Sequence, residues 1–220
     1  SGVAMVRYAT RTAAPVSVYD SRQSPAALPA FAQRYPDVTV HCGDFSADYL
    51  DGVGEVLLSP GLSPHAEPLK TIIAQANARG IAVLGELAVF SRALSELHAH
   101  NGYNGYKPKV LAVTGTNGKT TVTSLTRHLC EAAGVSVLAA GNISPSMLDA
   151  LCGALEQDAL PQVWVLELSS FQLQFAQSKA IGFNPDAATV LNLSQDHLDW
   201  HVDMVEYTQA KAQVFGADTV

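Results

Sequence analysis

The sequence predicts an α/β protein with two parallel-sheet domains. Short β-branched runs alternate with helical stretches along all 220 residues, which is the pattern of parallel sheets joined by crossover helices. A turn-rich segment divides these runs into two series of strands and helices. We therefore expect a Rossmann-like N-terminal domain and a parallel-sheet central domain. The predicted strands cover residues 16–19, 38–41, 56–59, 81–84, 110–114, 135–139, 163–168 and 187–193.

The domain boundary is placed in the segment 98–108, which contains Asn101-Gly102-Tyr103-Asn104-Gly105 and Pro108. Glycine, asparagine and proline at this density indicate a loop. We assign residues 1–106 to the first domain and 107–220 to the second. Both ends look cut, because no strand precedes Ser1 and the chain stops just after a helix. We expect that the first domain lacks its opening strand and that the second is truncated.

Composition excludes several classes of protein. Hydrophobic residues make up 48% of the chain, yet no apolar run has the length of a membrane span and the start lacks a signal-peptide layout, so we expect a cytoplasmic protein. The net charge is −7 with scattered Lys and Arg, which argues against a nucleic-acid surface. Cys42, Cys130 and Cys152 are odd in number and have no metal-site spacing, so we predict small buried side chains.

The strongest local motif is a strand at 110–114, then Gly115-Thr116-Asn117-Gly118-Lys119-Thr120-Thr121, then a helix. Glycines let backbone N–H groups approach a polyphosphate, while the helix dipole and Lys119 supply positive charge and Thr120 offers a hydroxyl to Mg²⁺. Val113 stands where the common pattern G-x-x-x-x-G-K-[ST] has its first glycine. We predict an ATP site in a central domain of the P-loop ATPase type. The helix is predicted from Val122, Leu125 and Leu129 on one face and Gly134 as its stop.

Polar side chains follow two further strands. Glu167 lies near the carboxyl end of an apolar strand, and His197 follows the next strand within Asp196-His197-Leu198-Asp199. Ligands of open parallel sheets bind beyond these ends, so both side chains are candidates for Mg²⁺. The alternatives are an ion-paired glutamate and a structural or solvated histidine.

Lys211 falls in the apolar stripe of a helix predicted at 203–215, together with Met204, Tyr207, Val214 and Phe215. Burial of an ammonium is unfavourable and lowers its pKa unless it is paired or chemically altered. Lys211 is therefore a functional candidate. The alternative is a lysine whose stem is buried while its amine reaches solvent.

With these motifs the sequence resembles the Mur ligase family over essentially its whole length. The Gly-Thr-Asn-Gly-Lys-Thr loop, the Asp-His-Leu-Asp turn and the Tyr-x-x-Ala-Lys helix carry the resemblance. The run Glu167-Leu-Ser-Ser-Phe-Gln-Leu173 is most similar to the branch that adds D-glutamate to UDP-N-acetylmuramoyl-L-alanine. Weaker support comes from Ser59-Pro60-Gly61, Gly85-Glu86-Leu87 and Gly141-Asn142-Ile143.

The resemblance implies a role for each matching residue. Lys119, His197 and Lys211 are implied to be catalytic, and Lys211 is implied to be carbamylated by CO₂. Two Mg²⁺ ions are implied, with Thr120, Glu167, His197 and the modified Lys211 as ligands. ATP is implied to bind Gly115, Thr116, Asn117, Gly118, Lys119, Thr120 and Thr121, and the UDP substrate to bind Asp20, Ser21, Asn142, Ser169 and Gln172.

The implied activity is an ATP-dependent carboxylate–amine ligase of peptidoglycan precursor synthesis, acting through an acyl phosphate. Its partners would be UDP-N-acetylmuramoyl-L-alanine, D-glutamate and ATP, and we expect a monomer that binds neither nucleic acid nor membrane. We expect that the family's Gly-rich turn and its C-terminal domain are not part of these 220 residues, and that this chain alone is therefore inactive. Two alternatives are a folate polyglutamylating ligase and a nucleotide-operated switch without ligase activity.

Overall fold

A computed structural model describes residues 2–12, 14–103, 105–176 and 182–220. The parallel α/β class predicted from the sequence is confirmed. The strands are Ser17–Asp20 (β1), Thr39–Cys42 (β2), Glu55–Leu58 (β3), Ala82–Gly85 (β4), Lys109–Thr114 (β5), Val137–Gly141 (β6), Val163–Glu167 (β7) and Ala187–Val190 (β8). The helices are Gly2–Ala9 (α1), Leu28–Arg34 (α2), Leu69–Ala78 (α3), Glu86–Ala99 (α4), Lys119–Ala132 (α5), Met147–Glu156 (α6), Ser170–Gln174 (α7) and Met204–Ala212 (α8).

All eight predicted strands are present, and none of their ends is shifted by more than three residues. The last four form one parallel sheet in the order β6-β7-β5-β8. Among the described residues the first four form two separate parallel pairs, β1 with β2 and β3 with β4. The prediction of an opening strand before Ser1 is not tested by this arrangement and stays a prediction.

Strand β7 lies at the centre of the core, and all five of its residues are buried. This explains its continuous apolar sequence, because a central parallel strand is covered on both faces. Trp164 on this strand packs edge-to-face on Phe90 of α4, with ring centroids 5.1 Å apart. Its indole N–H donates to the Tyr106 hydroxyl at 3.0 Å.

The core continues across the predicted domain boundary. Met5 of α1 and Phe90 of α4 belong to the same buried cluster as Leu148 of α6 and Trp164. On the surface above it, Arg7 forms ion pairs with Asp149 and Glu156 of α6. The division into 1–106 and 107–220 stays a prediction. Residues from both stretches belong to one buried apolar cluster.

The predicted buried face of helix α5 is wrong. Leu125 and Leu129 of α5 are 55% and 59% exposed, whereas Thr123 is fully buried. Apolar spacing marks one face of a helix but does not decide which face packs, and here the face bearing Thr123 packs. Gly134 ends this helix as predicted, at φ +75°.

The last helix is shorter than the predicted 203–215. It begins after Asp203, whose carboxylate accepts the Glu206 N–H at 2.8 Å, and it ends at Ala212. Phe215 therefore lies outside the helix and is 49% exposed, while Val214 is buried. Lys211 is buried as predicted, with 2% of its surface exposed.

The three cysteines are free thiols, but only Cys152 is buried, whereas Cys42 and Cys130 are half-buried. The prediction of three buried thiols is therefore right for one of them. None of the described helices has both the length and the apolarity that a membrane span requires.

Candidate active site

The site is built at the carboxyl edge of the four-stranded sheet. Strands β5, β7 and β8 run parallel and end at Thr114, Glu167 and Val190. Val113 is in register with Glu167, and Thr114 with Val190. The segments that follow these three strands therefore meet at one edge, as the parallel topology requires.

The turn at 115–118 is held by the segment after β8. The N–H groups of Thr116 and Asn117 donate to the Asn192 carbonyl at 3.0 Å and to its side-chain oxygen at 2.9 Å. A side chain at Gly115, which has φ +149°, would approach Leu191 Cβ to 3.1 Å. Thr116 and Asn117 therefore already use their N–H groups, whereas the first N–H groups of α5 lack an intrahelical partner and can bind an anion.

The Lys119 ammonium folds back onto its own turn. It donates to the carbonyl oxygens of Gly115 at 3.0 Å and Thr116 at 2.9 Å. An ammonium has three N–H donors, so one remains available for an anion. Lys119 thus lies where a phosphate bound to the N-terminus of α5 would meet it.

Lys211 reaches the same carbonyl from α8. Its ammonium donates to Gly115 O at 3.0 Å and lies 4.7 Å from the centre of the Tyr207 ring. Burial, together with the nearby charge of Lys119, lowers the pKa of Lys211 to about 8. The structure therefore rejects the solvent-reaching alternative and places two amines on the carbonyl oxygen of Gly115.

Glu167 is 2% exposed, and only one of its two carboxylate oxygens accepts a hydrogen bond from the described residues. Its Oε1 accepts from the Asn142 side chain at 2.9 Å, while its Oε2 is buried and has no hydrogen-bond partner among the described residues. The ion-paired alternative is thereby excluded for the described part of the chain. An orphaned carboxylate oxygen beside a phosphate-binding turn fits a hard cation such as Mg²⁺.

His197 stands apart from this group. Its side chain is 43% exposed, and Nε2 lies 3.5 Å from the Asp196 carboxylate. The imidazole packs on the Phe171 ring, with ring centroids 4.8 Å apart. No three His, Cys, Asp or Glu side chains gather as a ready-made metal site within the described ranges. The predicted pair of Mg²⁺ ions and the ligand role of His197 remain predictions.

Ser169 and Gln172, predicted to bind substrate, cap helix α7. The Ser169 hydroxyl accepts the Gln172 N–H at 3.2 Å, and the Gln172 side chain accepts the Ser169 N–H at 3.0 Å. This reciprocal pair is a capping box. Its local role is to start α7 directly after β7, and its contact with substrate remains a prediction.

Asp20 and Ser21 lie at the end of β1, in a different sheet from the phosphate-binding turn. Arg22 donates to both carboxylate oxygens of Asp20, at 2.9 and 2.6 Å. This hydrogen-bonded pair lowers the pKa of Asp20. The predicted uracil contacts are not tested by this structure, in which Asp20 is paired with Arg22.

Known proteins are similar to this chain in sequence. The model of the Mur ligase middle domain matches residues 113–218, and that of the Mur ligase MurD-like N-terminal domain matches residues 1–85. The UDP-N-acetylmuramoylalanine–D-glutamate ligase of Bordetella pertussis is 53% identical over 97% of this chain and 42% of its own length. That of Burkholderia cenocepacia is 50% identical over the whole chain and 42% of its own length.

The chain belongs to the Mur ligase family. A solved murein peptide ligase from Psychrobacter arcticus is 16% identical, with 96% of this chain and 43% of that chain covered and a TM-score of 0.45. This Mur ligase chain spans about 42% of the length of the curated relatives it matches.

Sequence reasoning missed how this Mur ligase chain supports Lys211. The Tyr207 hydroxyl lies 2.9 Å from the Thr116 hydroxyl, and its ring contacts the Lys211 ammonium. Tyr207 precedes Lys211 by four residues, so both lie on one helix face. That spacing was visible in the sequence, but the partner on the phosphate-binding turn was not.

Replacing Tyr207 by phenylalanine is expected to weaken ADP binding about 3- to 10-fold, since a buried neutral hydrogen bond contributes about 1 kcal/mol. Phenylalanine keeps the ring under Lys211 and removes only the bond to Thr116. Calorimetric titration of the chain with ADP and Mg²⁺ measures the change. Tyr103→Phe, at a more exposed tyrosine of the 101–103 turn, should bind as the parent does. Equal affinities for all three proteins would show that the turn does not depend on Tyr207.

Proposed function

We propose that this chain forms the UDP-substrate and ATP-binding part of a cytoplasmic, monomeric ligase that adds D-glutamate to UDP-N-acetylmuramoyl-L-alanine in peptidoglycan precursor synthesis. The observation that carries the proposal is the buried amine of Lys211 on the Gly115 carbonyl, 3.0 Å away. A nucleotide-binding turn has no need of a second buried amine from a distant helix. A ligase in which this amine is carbamylated by CO₂ requires it.

The lowered pKa prepares Lys211 for that modification. An amine reacts with CO₂ only when it is unprotonated, and a pKa of about 8 leaves far more free amine at neutral pH than a solvated lysine has. The nitrogen forms a bond to the carbon of CO₂ and releases one proton. The product is an anion, which removes the repulsion between Lys211 and Lys119.

The chain's own groups would then act on ATP. The N–H groups of the first turn of α5 hold the phosphates, and Lys119 donates its remaining N–H to a phosphate oxygen. Thr120, Glu167, His197 and the carbamate of Lys211 are the groups that would hold Mg²⁺. Bound Mg²⁺ supplies charge neutralisation of the phosphoryl group in transfer.

The reaction has two steps. An oxygen of the L-alanyl carboxylate bonds to the γ-phosphorus as ADP leaves, which gives an acyl phosphate. The D-glutamate amine then bonds to the acyl carbon, phosphate leaves and the nitrogen loses a proton. Asp20 and Ser21 would bind the uracil end of the substrate, and Asn142, Ser169 and Gln172 its muramoyl-alanine end.

The test uses the full-length ligase that contains this chain. Phosphate release is expected only when UDP-N-acetylmuramoyl-L-alanine and D-glutamate are both present, with little release when L-glutamate replaces D-glutamate. A Lys211→Ala variant should regain some turnover with added short carboxylates, which stand in for the lost carbamate. Phosphate release that needs neither substrate would instead support a nucleotide switch, and turnover with a folate would support a folate ligase. Peptide-bond formation by residues 1–220 alone would contradict the expected inactivity of this chain.

A further inference from the structure

His201 is a buried histidine outside the predicted site. It is 2% exposed, and its Nε2 lies 2.9 Å from the hydroxyl of Ser170, which is 1% exposed. Its Nδ1 has no hydrogen-bond partner among the described residues. A buried imidazole with one hydrogen-bonded nitrogen among aromatic rings requires an explanation, because leucine or phenylalanine would pack there without leaving a polar atom unpaired.

The backbone of His201 holds the turn that presents His197. His197 has φ +55°, a left-handed conformation that costs a non-glycine residue roughly 1 kcal/mol or more. Its carbonyl accepts the N–H groups of Trp200 at 3.1 Å and His201 at 2.9 Å. Surrounding contacts must hold this conformation in place. Two of them are the hydrogen bonds from Trp200 and His201 to the His197 carbonyl.

The side chain of His201 ties the same turn to the end of β7. Ser170 is the first residue of α7 and follows Glu167 by three positions. The imidazole packs between Trp200, with centroids 4.6 Å apart, and Tyr207, at 5.4 Å. The hydrogen bond between His201 and Ser170 therefore joins the turn bearing His197 to the strand bearing Glu167.

We infer that His201 is a positioning residue, which fixes the His197 ring relative to the Glu167 carboxylate through its bond to Ser170. The inference rests on the proposed function, in which these two side chains hold Mg²⁺. His201 itself need not touch the metal or the substrate. Its effect is on how much Mg²⁺ the site requires, rather than on the chemistry at saturating Mg²⁺.

The first experiment measures the Mg²⁺ dependence of the full-length ligase. His201→Phe keeps the ring volume and loses the bond, while Ser170→Ala removes the other partner. Each should raise the half-saturating Mg²⁺ concentration about 10-fold, with kcat at saturating Mg²⁺ changed by less than about 3-fold, and the double variant should be no worse than either single one. His201→Gln, which can still bond Ser170, should recover most of the affinity. His128→Gln, at an exposed histidine of α5, is the matched control.

Unchanged Mg²⁺ dependence in both single variants would overturn the inference, and so would additive effects in the double variant. If His201→Phe does not fold, Ser170→Ala and His201→Gln decide the question, since each changes few atoms.

The second experiment does not require ligase activity. In this chain with ¹³C-labelled histidines, Mn²⁺ with ADP should broaden the His197 ring signals, and this broadening should weaken in His201→Phe and Ser170→Ala but not in His128→Gln. No broadening in the parent chain, or equal broadening in every variant, overturns the inference. An inactive full-length enzyme whose chain still shows the expected pattern would instead refute the proposed D-glutamate ligase and leave the positioning role standing.

Discussion

The Lys211→Met variant is expected to lose ligase turnover by at least about 100-fold while becoming more stable. Turnover falls because methionine cannot be carbamylated and carries no charge at the phosphate-binding turn. Stability rises because the parent protein buries an ammonium whose pKa is lowered to about 8 from 10.5. That shift corresponds to about 3 kcal/mol of destabilisation at neutral pH, which methionine avoids.

The stability gain should depend on pH in a defined direction. Below pH 8 both the folded and the unfolded parent are protonated at Lys211, so the folded state carries the full penalty. Between pH 8 and 10.5 the unfolded state binds more protons than the folded state, so the parent gains stability as pH rises. The advantage of Lys211→Met is therefore largest below pH 8 and vanishes near pH 10.5.

Urea unfolding in CO₂-free buffer across this pH range measures the gain, and phosphate release by the full-length ligase measures turnover. Lys70→Met, at an exposed lysine of α3, is the matched control and should change neither quantity. A Lys211→Met protein with parental turnover would remove the main support for the ligase. A stability advantage that grows with pH would show that the Lys211 ammonium is not penalised by burial.

Gly141→Ala is expected to destabilise the chain by about 3 kcal/mol or more. A β-carbon at Gly141 would lie 2.2 Å from the carbonyl oxygen of Glu167, and the residue has φ +122°, which only glycine adopts readily. The clash involves backbone on both sides, so no side-chain rotation relieves it. The bond from the Asn142 N–H to the same carbonyl, 2.8 Å long, would break as the two segments separate.

Urea unfolding of the chain measures this loss, with Gly153→Ala as the control. Gly153 lies inside α6, and a β-carbon there meets nothing within 4 Å. Alanine at that position should stabilise the helix by up to about 1 kcal/mol. Similar effects at Gly141 and Gly153 would mean that the close approach of Gly141 to Glu167 is not a requirement of the fold.

Much of the fold was predictable because it depends on local patterns. The strands of both halves were located to within three residues, because short β-branched runs between helical stretches are typical of buried strands. The position of Lys211 was predictable for the same reason, because its neighbours Tyr207 and Val214 mark a buried face. The turn at 115–118 was predictable from Gly115 and Gly118 between a strand and a helix, and both glycines have positive φ in the structure.

The error at helix α5 has a physical cause. Leu125 and Leu129 have helical spacing, yet the face that packs on the sheet is the one bearing Thr123. The sequence specifies a helix and its stripes, but the rotation of the helix depends on what the sheet and the turn leave uncovered. Asn142 could not have been assigned to Glu167 from the sequence, because their contact requires β6 and β7 to be neighbours.

The amino-acid sequence by itself determined the order of strands and helices and the chemical groups at the end of each strand, since both follow from local periodicity and turn residues. Only the tertiary structure decided which groups meet. Lys211 and Gly115 are 96 residues apart, and His201 and Ser170 are 31 apart. Hydrogen bonds between such distant residues depend on how α8 and the turn before it dock on the sheet edge, and that docking arises from the packing of the whole core.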